Sequence, residues 1–165
     1  MPRFEPNVFQ REELRVLLSS RSAAHNVSPI EWEKQHSATV EGKTLVKYDG
    51  ELPLDDGCLK IRLLTPRLYQ WHFVYVVRNV PVMRVCTNAK HKGLGKDRHT
   101  HFHSYQPETG EESCVLREDF PTQAMEVGLD VPKLQSAIQV FADECHIALS
   151  KGWWTSPEKT LSAAQ

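Results

Sequence analysis

The chain has no apolar run near the roughly 20 residues that a membrane span needs. Its first residues, Met1-Pro2-Arg3-Phe4-Glu5-Pro6, are not those of an apolar leader. A cytoplasmic protein with no membrane partner is therefore expected. An excess of charge is missing too: 20 basic residues against 21 acidic ones leave a net charge of −1. That excludes a chain-wide nucleic-acid footprint and makes any basic site local. The four cysteines, Cys58, Cys86, Cys114 and Cys145, include no C-x-x-C pair. They read as ordinary thiols of a reducing compartment, and a cysteine-only zinc finger is excluded. There is neither repeat nor linker, so residues 1–165 are taken as one domain, long enough for a core of its own.

What is present is a sequence of short periodic segments. Residues 1–37 read as helical. Asn7 with Gln10 resembles a capping box beside the stripe Val8, Leu14, Leu17 and Leu18, which runs to about Arg21. Ser28-Pro29-Ile30-Glu31 then offers an N-cap, a proline at the first helical position and a glutamate three residues after the cap, predicting a short helix to about His36.

Residues 38–105 have strand character. Residues 38–48 form one strand, or a hairpin turning at Gly42. Leu59, Ile61 and Leu63 alternate with Lys60 and Arg62. Trp71, Phe73, Tyr75 and Val77 alternate with His72, Val74, Val76 and Arg78. Met83, Val85 and Thr87 oppose Val82, Arg84, Cys86 and Asn88. Short links between them favour an antiparallel meander of about five strands.

An acidic, turn-rich stretch fills 106–129. A packing helix over 130–152 carries Leu134, Ile138, Phe141, Cys145 and Leu149 on one face, with Gly152 as C-cap. Residues 153–165 are a tail in which Trp153-Trp154 reads as a packed end. His25, His36 and His146 read as surface or capping residues. The expected fold is α+β: two N-terminal helices, an antiparallel sheet and a C-terminal packing helix.

The chemistry concentrates in Asp97-Arg98-His99-Thr100-His101-Phe102-His103-Ser104-Tyr105. In an extended strand His99, His101, His103 and Tyr105 share one face. Three imidazoles make a poor core but a good metal, proton-transfer or anion site. From Arg84 to Tyr105 there are five Lys or Arg residues (Arg84, Lys90, Lys92, Lys96 and Arg98) against the single acid Asp97, together with His91. The loop Lys90-His91-Lys92-Gly93-Leu94-Gly95-Lys96 mixes glycines with cations, as an anion-binding loop does, although it lacks the G-K-[S/T] of a P-loop. Lys60, Arg62, His72 and Arg84 fall on the strand positions opposite the apolar ones, so they extend the same polar face.

Three readings follow. In metal-independent cleavage of RNA, an imidazole takes the 2′-hydroxyl proton and cations neutralise the phosphorane. His101 is then the central base or acid, with His99 or His103 as its complement and no cofactor. Arg84 and Lys96 or Arg98 meet phosphate, Asn88 orients substrate or the loop, and Tyr105 stacks a base or supplies a proton. His91, Lys90, Lys92, Lys60, Arg62 and His72 complete the surface. In the second reading the same surface binds nucleic acid or protein without catalysis, as an accessory or anti-defence factor of a phage or mobile element does. In the third, two of His99, His101 and His103 supply metal ligands, with the third histidine, His91, His72 or a carboxylate completing the set. Neighbours on one strand face stand ~6.5–7 Å apart, so two converge on an ion more readily than three.

The order Arg84-x-Cys86-x-Asn88-x-x-His91, then His99-x-His101-x-His103-x-Tyr105, resembles a family of small uncharacterised bacterial proteins, as does Phe141-x-x-x-Cys145-His146-Ile147. More distantly it is similar to the TumE-type toxins of toxin–antitoxin pairs. Those carry Arg-Tyr-Asp-Asn-Ala-Pro-His and then Pro-His-His-x-His; here Cys86, Thr87 and Lys90 depart from the first segment. The resemblance spans about residues 58–149. It implies a ribonuclease toxin of the RelE and barnase class, RNA as substrate, a cognate antitoxin as partner, and Arg84, Asn88, His91, His99, His101 and His103 as site positions.

Overall fold

A computed structural model describes residues 8–36, 38–50, 54–93, 95–125 and 127–164. Asn7, read as part of a helix cap, lies outside them. Strands dominate because the middle of the chain alternates strictly. β1 (Ala24–Asn26), β2 (Glu31–Gln35), β3 (Thr39–Tyr48), β4 (Gly57–Leu64), β5 (Arg67–Val77), β6 (Val80–Ala89), β7 (His99–Tyr105), β8 (Glu112–Leu116) and β9 (Ile147–Ala148) form one sheet. Its order is β8-β7-β6-β5-β4-β3-β1-β9, with β2 also on β3. All pairings are antiparallel except β1 with β9, which makes the sheet mixed.

Around this sheet lie α1 (Arg11–Leu17), α2 (Val131–Glu144) and α3 (Glu158–Ala164). One sheet face is apolar. Leu59, Ile61, Leu63, Trp71, Phe73, Tyr75 and Val85 are buried there with Leu134, Ile138 and Phe141 of α2 and Leu14 and Leu17 of α1. The Phe73 ring lies 5.6 Å from that of Phe141 and 5.7 Å from that of Phe120. α2 starts at Asp130, whose side chain accepts from the Lys133 N–H, with a proline in the first turn.

The β5–β6 hairpin turns through Arg78 and Asn79, both left-handed at φ 52° and 62°, the backbone of a two-residue primed turn. Arginine adopts that conformation at a cost. Here its guanidinium offsets the cost by donating to Glu13, to Asp55 and to the Val8 carbonyl, which ties α1 to the turn.

The fold therefore differs from the expected one: the sheet is mixed and not wholly antiparallel. Among the described residues there is one N-terminal α-helix, not two. The segment beginning at Ser28-Pro29 leads into β2, paired along β3 from Glu31↔Lys43 to Gln35↔Thr39. Local cap chemistry lost there to cross-strand pairing and to the bond from the Trp32 indole N–H to the Thr155 carbonyl. Of the two readings of residues 38–48 the single strand is the one formed, with Gly42 mid-strand: a Cβ there would meet the Trp32 ring at 2.7 Å, so glycine lets that ring lie across β3.

The sheet has nine strands among the described residues, not about five, because the acidic stretch contributes β8, the N-terminal part β1 and β2, and the chain after α2 β9. The packing helix ends at Glu144, with His146 left-handed just beyond it at φ 55°. The chain then pairs with β1, and the tail carries α3 instead of remaining irregular. Trp153 and Trp154 pack against the core with ring centroids 5.6 Å apart.

Candidate metal centre

The opposite face of the sheet is built by the same alternation. Cross-strand pairing sets two rows on it. One runs Arg62, His72, Cys86, His101 and Leu116; the other runs Lys60, Val74, Arg84, His103 and Cys114. At its β6–β7–β8 end this face is sunk beneath the chain that follows β6. A bulge at Thr87–Asn88 shifts the β6–β7 register by one residue, so that Cys86 pairs with His101 but Ala89 with His99. Asn88 is left-handed there, φ 48°. Its side-chain amide donates to the Tyr69 and Gln123 carbonyls. Beyond the bulge the chain folds back and lays His91 over β7.

Three imidazoles meet as a result. The His91, His101 and His103 ring centroids are 4.9, 5.2 and 5.0 Å apart in the three pairs. Two sulfurs join them: the ligand atoms of Cys86, His101 and His103 lie within 4.8 Å of one another, and so do those of His91, His103 and Cys114. His103 belongs to both trios. Its Nε2 is 3.9 Å from Cys114 Sγ, and its Nδ1 is 3.2 Å from Glu112 Oε1. Arg84 Nη2 lies 2.9 Å from that oxygen and 3.4 Å from Nδ1. The carboxylate only accepts and stands nearer, so Nδ1–H donates to it and the Nε2 lone pair is left for the cluster. This is the carboxylate–histidine arrangement that orients metal ligands.

His101 and His103 are each only 2% exposed. His101 Nδ1 is buried with no hydrogen-bond partner among the described residues, an expensive state for a polar nitrogen with nothing to bind. Burial holds the His101 ring down to about pKa 4, helped by His91 and opposed by a backbone hydrogen bond at His99. Burial and then the Arg84 guanidinium hold His103 down to about 3. Both are neutral lone-pair donors at neutral pH. Burial raises the Cys86 thiol to about 11 and also raises Cys114.

Of the residues expected at a site, His91, His101 and His103 come together, with Arg84 beside them through Glu112. His99 pairs with Ala89 and joins neither trio, so the strand does not present all three histidines to one point. Tyr105 is 5% exposed and packed in the core, with no ring face open for stacking. Asn88 is occupied with backbone carbonyls. Arg98 donates to Gln70 and to the Asn88 carbonyl. Lys90, Lys92 and Lys96 are exposed on the loop. Lys60, Arg62 and His72 line a groove of about 290 Å³ on the same face, where Arg62 pairs with Glu41.

The sequence reading passed over Cys86, Cys114, Glu112 and Gln70. The phase of Cys86 with Arg84 was legible. The place of Cys114 and Glu112 depends on β8, which hides in an acidic stretch. No family model, curated protein or solved structure matches the chain.

Proposed function

We propose that the protein binds a borderline-to-soft transition-metal ion, zinc above all, on the β6–β7–β8 face. One observation carries this reading: nitrogen and sulfur donors gather on the buried, shared ligand His103, which is aimed by Glu112. Imidazole with thiolate is the donor set of zinc, and it disfavours calcium and magnesium, which prefer oxygen. The sequence alone offers the strand histidines with His91, His72 or a carboxylate as a further ligand. The geometry supports Cys86 or Cys114 beside His101 and His103, in place of His99.

RNA cleavage by these imidazoles has less support, because a 2′-hydroxyl would have to reach rings that are almost fully covered. The exposed Lys90, Lys92 and Lys96 favour a second, non-catalytic reading, in which the loop over the centre meets an anionic partner such as RNA.

The test uses full-length protein purified without a polyhistidine tag. Elemental analysis is expected to find one equivalent of zinc after dialysis against trace metal. Zinc at about a hundred times its dissociation constant should stabilise the metal-free protein by about 2.7 kcal/mol in thermal unfolding. His103→Ala, which breaks both trios, should abolish the response. Protein that retains no metal and shows no shift would overturn the proposal. A gel shift with labelled RNA, with and without zinc, tests the second reading.

A further inference from the structure

Behind Cys86 lies a chain of hydrogen bonds whose direction can be read from its far end. Arg98 Nη1 lies 3.2 Å from Gln70 Oε1. A guanidinium can only donate, so that atom must be the amide oxygen, and the Gln70 NH2 points the other way. It stands 3.1 Å from His72 Nε2. An NH2 group only donates, so His72 Nε2 accepts and the His72 proton sits on Nδ1. That Nδ1 is 3.2 Å from Cys86 Sγ. Gln70, at the centre of this chain, is 8% exposed, and His72 and Cys86 are half-buried.

Resting on the metal reading above, we infer that Cys86 is the thiolate ligand of the centre and that Arg98, Gln70 and His72 are its positioning residues. An N–H aimed at sulfur stabilises the charged thiolate that metal binding creates, fixes the Sγ direction and draws electron density from the metal–sulfur bond. Cys114 shows no comparable donor among the described residues; its neighbour is the His103 lone-pair nitrogen. The ion therefore sits with Cys86, His101 and His103, and the second trio forms its outer side. His91 fits this division, since its Nδ1 accepts from the Gly93 N–H instead of facing an unpartnered site.

Cobalt(II) alone is the probe, titrated into tag-free, metal-stripped full-length protein. The thiolate-to-cobalt charge-transfer absorption reports the sulfur directly. Cys86→Ser is expected to remove this band, while Cys114→Ser keeps it. His72→Phe, which preserves a ring but deletes the donor, should shift the band and weaken cobalt binding about 10- to 100-fold. Gln70→Leu leaves the His72 ring in place and frees its tautomer, so a smaller shift in the same direction is expected; it serves if His72→Phe does not fold. An unchanged band and affinity in both His72→Phe and Gln70→Leu would overturn the inference, as would loss of the band in Cys114→Ser but not in Cys86→Ser. Wild-type protein that takes up no cobalt would overturn the metal reading and this inference together.

Discussion

The two faces of this sheet are made by the same strands in the same register, yet they are buried by different means. On one, Phe73, Tyr75 and Val85 are covered by α2, and hydrocarbon meets hydrocarbon. On the other, one residue along in each strand, His101 and His103 are covered by His91 from the chain that follows the Thr87–Asn88 bulge, with the half-buried Cys86 beside them. The first face gains stability from every atom it hides. The second hides imidazole nitrogen, including a His101 Nδ1 with no partner among the described residues, and so gives stability away in the absence of a ligand. A sheet that sequesters polar donors on one face while packing the other well has one face that stabilises the fold and one whose donors are left for the ligand proposed above.

The comparison breaks most sharply at Phe141. Phe141→Ala opens a cavity against Phe73 and should cost about 3–5 kcal/mol in denaturant unfolding, with metal stoichiometry retained wherever the variant is folded.

Acid should expose the second face next. The His101 and His103 rings bind protons in the unfolded chain near pH 6.5 but in the folded chain only near about 4 and about 3. Below pH 6.5 the unfolded state therefore holds more protons, and stability must fall as pH falls. A loss of about 1–2 kcal/mol for each imidazole is expected between pH 6.5 and 5 in the metal-free protein. A flat unfolding profile over that range would mean the rings are not buried as described.

The smallest effect is expected at His101→Leu. This removes an orphaned polar atom and keeps the volume, so metal-free stability should change by less than about 1 kcal/mol, in either direction. The stabilisation by zinc should nevertheless disappear. Equal damage with and without metal would place His101 on the structural side of the comparison.

Much of this contrast is legible in the alternation of the sequence. Leu59, Ile61, Leu63, Trp71, Phe73 and Tyr75 announce the covered face, and the phase of His72, Arg84, Cys86, His101 and His103 announces the other. What stayed hidden depends on partners distant in the chain. β2 looks like a helix start because Ser28-Pro29-Ile30-Glu31 carries cap chemistry, while the contacts that make it a strand come from β3 and Thr155. Cys114 and Glu112 look like part of an acidic loop until β8 aligns Cys114 with His103. Period-two spacing also overstated His99, because a one-residue bulge on the neighbouring strand decides which histidines meet.

That bulge has a mechanical consequence. Asn88 is gripped by the Tyr69 carbonyl on one side and the Gln123 carbonyl on the other, and Arg98 at the far end of the loop holds the Asn88 carbonyl itself. Both roots of the loop are thus riveted to a single residue. The span between them is therefore held at both ends through one residue, outside the β6–β7 pairing.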